Sequence, residues 1–178
     1  MEPLDIKKYP DVVLRKRCVR LQEMTDSETI LFEKMLFTMR HFAGIGLAAP
    51  QIGISKRLIV ADIGEGAIKL ANPIILKSKG LDQMEEGCLS IPGVGVAVDR
   101  PDEVIVSGLN EKGRAIEVKT KGLMARVLQH EIDHLNGKLI IDYLTLFEKL
   151  KLKIQGQGEL TRGTNVKKGD KNEHKNPF

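Results

Sequence analysis

Residues 122–137 read GLMARVLQHEIDHLNG, and this stretch decides how the rest of the chain must be arranged. Its apolar residues recur at the spacing of one helix face: Leu123, Met124, Val127, Leu128, Ile132 and Leu135. The final Asn-Gly pair is typical of a helix end. His130 and His134 lie about 40° apart around a helix axis, so both imidazoles can reach one metal ion. Glu131 falls beside the open position of such an ion, where it can accept a proton from water.

A catalytic site of the zinc type needs three protein ligands and one open position, and this helix supplies two ligands. The acids that follow it, Asp142, Glu148 and Glu159, do not sit on an element expected to pack against it. Their placement disfavours a zinc endopeptidase, which stays an alternative. Upstream, residues 86–90 (EGCLS) place Cys88 beside a glycine. A thiolate with two neutral imidazoles suits Fe²⁺ or Zn²⁺, so Cys88 is the leading candidate for the third ligand.

A third segment, residues 44–51 (GIGLAAPQ), is rich in small residues. It lacks the Gly-Lys-Ser/Thr ending of a phosphate-binding loop. Two glycines near a site allow a substrate backbone to approach closely, and the amide of Gln51 can donate to a developing oxyanion. Taken alone, the segment also fits a plain tight loop between a helix and a strand.

The remaining pattern predicts an α+β fold, because strands and helices do not alternate. A capping box at residues 25–28 predicts the start of a first helix, which Gly44 is expected to end. Strands are predicted at 58–60 and around 70–76, then as a meander at 94–98, 103–109 and 115–119 with a turn at 110–113, and finally at 139–141. A third helix is predicted at 143–154. We therefore expect short antiparallel sheets around the central helix that carries the HExxH motif.

Composition and charge narrow the class of protein. With 178 residues, 42% hydrophobic and 29% charged, the chain suits one globular domain with a tail. It has no apolar run of about 18 residues, and its start lacks a targeting pattern, so we expect a cytoplasmic protein with no membrane span. Both cysteines, Cys18 and Cys88, are expected to be thiols. Basic residues outnumber acids from Lys149 onward, and residues 151–178 are expected to form a flexible basic tail. A module that binds RNA or the ribosome through this tail is the second alternative.

The segments 44–51, 86–90 and 129–137 resemble the three motifs of the peptide deformylase family in order and spacing, and the resemblance covers about residues 1–150. It implies a catalytic domain that removes the formyl group from the N-terminal methionine of new polypeptides. It also implies Cys88, His130 and His134 as ligands of one divalent ion, Fe²⁺ natively, with Zn²⁺, Ni²⁺ or Co²⁺ able to replace it. Glu131 would be the acid/base, and the Gln51 amide and the Leu89 N–H would hold the oxyanion.

The resemblance further implies how the formylated peptide binds. Its backbone would meet Gly46 and Gly87. Its methionine side chain would enter a pocket whose expected lining is Ile45, Met84, Leu123, Arg126, Val127 and His130. Arg126 would contribute its methylenes and keep its charge at the rim. Glu86 and Arg100 would pair behind the Cys88 loop. Some members carry an arginine at the position of Gly95. The implied protein is a monomer, and its C-terminal segment could dock at the ribosome.

Overall fold

The computed structural model describes residues 1–150. The chain divides into two compact units, Met1–Tyr143 and Leu144–Phe178. In the second unit, residues 146–150 are helical. The helix predicted at 143–154 therefore starts later than expected, because residues 143–145 are not helical. Its residues 151–154 and the tail predicted at 151–178 lie outside the described residues. No helix in the described part is both long and apolar enough to cross a membrane.

The first unit contains two α-helices and seven strands, which confirms the α+β prediction. The helices are α1 (Asp26–His41) and α2 (Gly122–Leu135). The strands are β1 (Gly46–Ala48), β2 (Leu58–Ala61), β3 (Ile68–Lys79), β4 (Asp82–Cys88), β5 (Ile91–Arg100), β6 (Glu103–Leu109) and β7 (Ala115–Lys121). Five strands form an antiparallel sheet in the order β1-β2-β3-β6-β7, and β4 pairs with β5 in a separate hairpin.

The core lies on both faces of the five-stranded sheet. All four residues of β2 are buried, which explains its uninterrupted apolar sequence. Leu58 and Val60 pack in the cluster that contains α1, whereas Ile59 and Ala61 pack in the cluster that contains α2. Because neighbouring side chains of a strand point to opposite faces, the two helices cover opposite faces of the sheet.

The predicted meander is only partly correct. β6 and β7 form the expected hairpin, closed by a turn in which Gly113 N–H donates to Asn110 O. β5 does not continue that meander, since it pairs with β4 through a tight turn that sets Cys88 opposite Ile91. Pro101, which follows β5, has no N–H with which to extend a ladder. The strand β4 was not predicted, because most of its residues are polar and exposed.

Three boundaries also differ from the sequence-based expectations. Helix α1 ends at His41 and not at Gly44. Residues 44–51 are not a plain loop, because β1 pairs with β2 and a 3₁₀ turn, Ala49–Ile52, follows it. Residues 139–141 do not form a strand. They enter the 3₁₀ turn Ile140–Asp142, where the Asp142 carboxylate accepts a hydrogen bond from Leu139 N–H at 2.8 Å. A short buried apolar run fits either structure equally well.

Candidate metal centre

Helix α2 and the end of β4 bring the three predicted ligand side chains together. Cys88 Sγ lies 3.2 Å from His134 Nε2, which lies 3.2 Å from His130 Nε2. The ligand atoms of the three residues all lie within 4.8 Å of one another. Ligands held about 2.0–2.3 Å from one ion have this spacing, so the donor set fits a single divalent metal. Both cysteines are free thiols, as predicted, and Cys18 is buried elsewhere in the core.

Glu131 is buried beside this cluster, and its Oε2 has no hydrogen-bond partner among residues 1–150. Burial raises the pKa of Glu131 to about 7, and the charge of His130 opposes the shift. A carboxyl with such a pKa can both accept and return a proton near neutral pH. Gly46 lies against this carboxylate, because a Cβ there would overlap Glu131 Oε1. Any larger residue at position 46 would therefore displace Glu131.

The Gln51 side chain is buried and turned toward the cluster. Its Oε1 accepts a hydrogen bond from Ala48 N–H at 2.8 Å, which fixes the orientation of the amide. Its Nε2 consequently faces Cys88 Sγ at 3.5 Å. Leu89, the residue after Cys88, is half-buried. Gln51 thus offers an N–H donor at the place where the three ligand atoms meet.

Behind the histidines lies a buried ionic network centred on Glu86. His130 Nδ1 donates to Glu86 Oε2 at 2.9 Å, which leaves Nε2 directed at the cluster. Arg100 donates to both Glu86 oxygens, at 2.6 and 3.0 Å, so the predicted Glu86–Arg100 pair is present. Arg100 also contacts Asp133 Oδ2 at 2.9 Å, and the Tyr143 hydroxyl donates to the same oxygen. Burial alone would raise the pKa of Glu86, but the hydrogen bonds from His130 and Arg100 lower it to about 2.

The two histidines differ in their affinity for a proton. Burial and the charge of His130 hold the pKa of His134 well below its ordinary value. Burial would also lower the pKa of His130, but its contacts with Cys88 and Glu86 raise it to about 10. A ligating imidazole must give up the proton at its ligand nitrogen, so a metal ion bound here would displace a proton from His130.

The predicted peptide-binding residues differ in how far they are exposed to solvent. Ile45, Met84 and Leu123 are 43%, 41% and 42% exposed, so their side chains are accessible to a ligand. Gly87 is exposed and Gly46 half-buried, whereas Val127 is buried. Their role in binding stays a prediction.

The predicted rim position of the Arg126 charge is wrong. Arg126 is 5% exposed, and its guanidinium donates to Glu86 Oε1 and Val98 O, both at 2.8 Å. Buried acceptors on β4 and β5 therefore hold the charge inside the protein. The sequence analysis did not predict this role of Arg126, and it did not predict that Asp133 and Tyr143 contact Arg100. The available signal was a charged residue on the apolar side of α2, four positions before His130.

Comparison with known proteins agrees with this geometry. The family model described as polypeptide deformylase matches residues 3–150. A peptide deformylase from Hydrogenovibrio crunogenus is 50% identical over 148 residues, covering 82% of this chain and 88% of that protein. The structure of a peptide deformylase from Synechococcus elongatus in complex with actinonin has a TM-score of 0.82 and 43% identity, covering 89% of this chain and 87% of that one.

A structure of the Acinetobacter baumannii peptide deformylase bound to Met-Ala-Ser has a TM-score of 0.76 and 31% identity. It covers 80% of this chain and 99% of that chain. These matches support neither an HExxH endopeptidase nor a purely RNA-binding module. Among the described residues, the candidate third ligand beside the two histidines is Cys88, upstream of the helix. The chain therefore belongs to the peptide deformylase family, metal-dependent hydrolases that remove the formyl group from the N-terminal methionine of newly made polypeptides.

Proposed function

We propose that deformylation takes place at the cluster of Cys88, His130 and His134, which holds one divalent metal ion, with Glu131 as the acid/base. One observation carries this proposal: three candidate ligand atoms converge within 4.8 Å beside a buried carboxylate oxygen that has no partner in the described part of the chain. The three residues leave one position of a four-coordinate ion for water or substrate.

The chain's own residues supply the proton transfers. When bound, the metal lowers the pKa of a water molecule and polarises the formyl oxygen. Glu131 accepts the proton of the attacking water and later delivers a proton to the departing amine. The buried position of its carboxyl beside the cluster suits both steps. The Gln51 amide and the backbone N–H of Leu89 donate to the oxyanion that develops on the formyl oxygen.

The donor set narrows the choice of metal. One thiolate and two imidazoles suit Fe²⁺ and Zn²⁺ better than Mg²⁺ or Ca²⁺, which prefer oxygen ligands. We propose Fe²⁺ as the native ion, with Zn²⁺, Ni²⁺ or Co²⁺ able to take its place. Anaerobic purification followed by metal analysis tests this choice, and an iron-free protein of full activity would contradict it.

The substrate is an N-formyl-methionyl peptide in extended conformation. The exposed side chains of Ile45, Met84 and Leu123 would receive the methionine, and the backbone of Gly46 and Gly87 would meet the peptide. The Met-Ala-Ser peptide bound to the relative from Acinetobacter baumannii supports a peptide ligand of this kind.

The same proposal covers the bounds of the catalytic domain, the oligomeric state, the location in the cell and the ribosome as a partner. Residues 1–150 form the catalytic domain, the protein is a cytoplasmic monomer, and the basic C-terminal segment docks at the ribosome. Binding to purified ribosomes that weakens with salt and is lost on truncation after Tyr143 would support docking. Salt-independent binding, or binding retained by the truncated chain, would contradict it.

The catalytic assignment is tested by an anaerobic assay on formyl-Met-Ala with Glu131→Gln. Loss of a general acid/base costs roughly 10²–10⁴-fold in rate. We expect the deformylation rate of Glu131→Gln to fall by this factor while the variant retains its metal. Glu33→Gln is the matched control, because Glu33 lies exposed on α1 and should leave the rate unchanged. Activity at the wild-type level in metal-loaded Glu131→Gln would contradict the assignment.

A further inference from the structure

Arg126 makes more polar contacts with β4 and β5 than any role in lining a substrate pocket would need. Its NH1 donates to Glu86 Oε1 and to Val98 O, each at 2.8 Å. Its NH2 donates to the backbone oxygen of Asp82 at 2.7 Å and contacts Asp82 Oδ2 at 3.2 Å. One side chain of α2 therefore reaches the first residue of β4, a late residue of β5 and the carboxylate of Glu86.

These acceptors lie where the hairpin must be held if the cluster is to form. Asp82 begins β4, and Cys88 ends the same strand. Val98 is paired with Met84 across the hairpin. Bonds to Asp82 O and Val98 O therefore attach the hairpin to α2 at the end opposite Cys88. Along β4, Glu86 lies between Asp82 and Cys88, and its carboxylate is 2.9 Å from His130 Nδ1.

Arg126 and Arg100 share Glu86 but have different further partners. Arg100 extends the network toward Asp133 and Tyr143. Arg126 instead bonds the backbone of the hairpin. With both guanidiniums donating to Glu86 Oε1, the carboxylate keeps one orientation, in which Oε2 accepts from His130. A guanidinium supplies such a fixed fork, whereas an ammonium is a point charge.

We propose that Arg126 is a positioning residue of the metal site, which holds the β4–β5 hairpin against α2 and fixes the His130 ring through Glu86. The inference rests on the proposed metal site of Cys88, His130 and His134. It makes Arg126 an outer support of the ligand set and not a specificity determinant for the methionine side chain. Loss of a support of this kind typically lowers metal affinity by roughly 10- to 100-fold.

The test measures the rate at which Zn²⁺-loaded protein loses its ion to a chromogenic chelator. We expect Arg126→Met to lose Zn²⁺ roughly 10- to 100-fold faster than wild type. Arg126→Lys, which keeps the charge without the fork, should give an intermediate rate and is the safer variant for folding. Lys56→Met is the matched control, since it breaks an ion pair with Glu28 in the first turn of α1. It should lower stability without faster metal loss.

A double-mutant cycle shows whether Arg126 acts through Glu86. Two residues in one network have non-additive effects, so Arg126→Met combined with Glu86→Gln should lose metal more slowly than the sum of the two single effects predicts. Additive effects would overturn the proposal. Wild-type metal retention in both Arg126→Met and Arg126→Lys would also overturn it, as would a rise in KM for formyl-Met-Ala with metal retention unchanged.

Cys88→Ala separates this inference from the proposed site itself. If Cys88→Ala binds Zn²⁺ as tightly as wild type, the proposed ligand set is wrong. If Cys88→Ala loses the ion while the Arg126 variants retain it, the ligand set stands and only the role of Arg126 fails.

Discussion

Helix α1 begins with a capping box, and its buried polar side chains, Glu28 and Thr38, accept or donate hydrogen bonds within the helix or its cap. Helix α2 begins without a side-chain cap, and most of its buried polar side chains contact other elements. In α1, Thr25 and Glu28 close the capping box, and the buried face carries Phe32, Met35, Leu36 and Met39. In α2, four polar residues are buried among the apolar ones: Arg126, Gln129, Glu131 and His134.

The difference shows where each helix obtains its stability. The capping interactions of α1 come from its own first turn, so its start is specified locally. Among the charged groups of α2, Arg126 and Asp133 find partners on β4 and β5, as with Arg126 and Glu86, which lie 40 positions apart. An unpartnered buried charge costs several kcal/mol, on the order of 3–5 when one partner is removed. Helix α2 is therefore stable in its place only when the hairpin that carries Cys88 packs against it.

The largest expected effect is loss of the metal from a variant of α2. His134→Ala should retain no ion after dialysis and show no deformylation, because two protein ligands remain where three are needed. His41→Ala is the matched control, because His41 is an exposed histidine of α1. It should bind about one ion per chain and keep its activity. Metal analysis after gel filtration checks both variants. A His134→Ala protein that retains one ion per chain would contradict the assignment of metal binding to α2.

The next effect concerns stability, and it should arise in α1. Phe32 is fully buried, so Phe32→Ala should lower the free energy of unfolding by about 3–5 kcal/mol. The folded fraction should keep wild-type metal content and specific activity, because Phe32 packs in the cluster on the α1 side of the sheet. Urea unfolding and metal analysis on the same sample provide the measurement. Metal loss from the folded fraction would contradict the separation of roles.

Gln51 lies between the two helices in the chain and belongs functionally with α2. Gln51→Ala should lower kcat by roughly 10²–10³-fold, the usual effect of removing one oxyanion donor. The metal should stay bound, since Gln51 is not a ligand. Steady-state kinetics on formyl-Met-Ala with parallel metal analysis is the check, with the exposed Gln22→Ala as control. Unchanged turnover would remove Gln51 from the mechanism.

The smallest effect is a pH-dependent one at the start of α1. Hydrogen bonds from Lys56 and Thr25 lower the pKa of Glu28 to about 2. An unfolded glutamate has a pKa of about 4.3, so this stabilisation is complete above that pH and is lost as the pH falls toward 2. Glu28→Gln should therefore be less stable by roughly 1 kcal/mol at neutral pH. The difference should shrink on acidification, and a difference independent of pH in urea unfolding would contradict this account.

The parts of the molecule that follow local rules could be predicted from sequence. The capping box at 25–28 specified the start of α1, and the i, i+4 histidines of α2 predicted two side chains of the candidate metal cluster and Glu131 beside them. Cys88 could not be identified from a local pattern, because a lone cysteine has no periodicity. It was found through the missing third ligand and through the resemblance of its segment to a known motif.

Features that depend on distant partners could not be predicted. The polar sequence of β4 carries no strand pattern, since its stability comes from pairing with β5 and from the contacts of Glu86. Arg126 was expected at a rim because arginine is rarely buried without partners. Its partners, Asp82, Glu86 and Val98, are 28 to 44 positions away.

The central claim is that a sulfur and two imidazoles bind the same ion, and X-ray absorption at the Zn K-edge of the Zn²⁺-loaded protein tests it most directly. The account predicts one sulfur ligand at about 2.3 Å and two imidazole nitrogens at about 2.0–2.1 Å. The sulfur contribution should vanish in Cys88→Ala. A wild-type spectrum without sulfur, or one with sulfur that persists in Cys88→Ala, would contradict the claim.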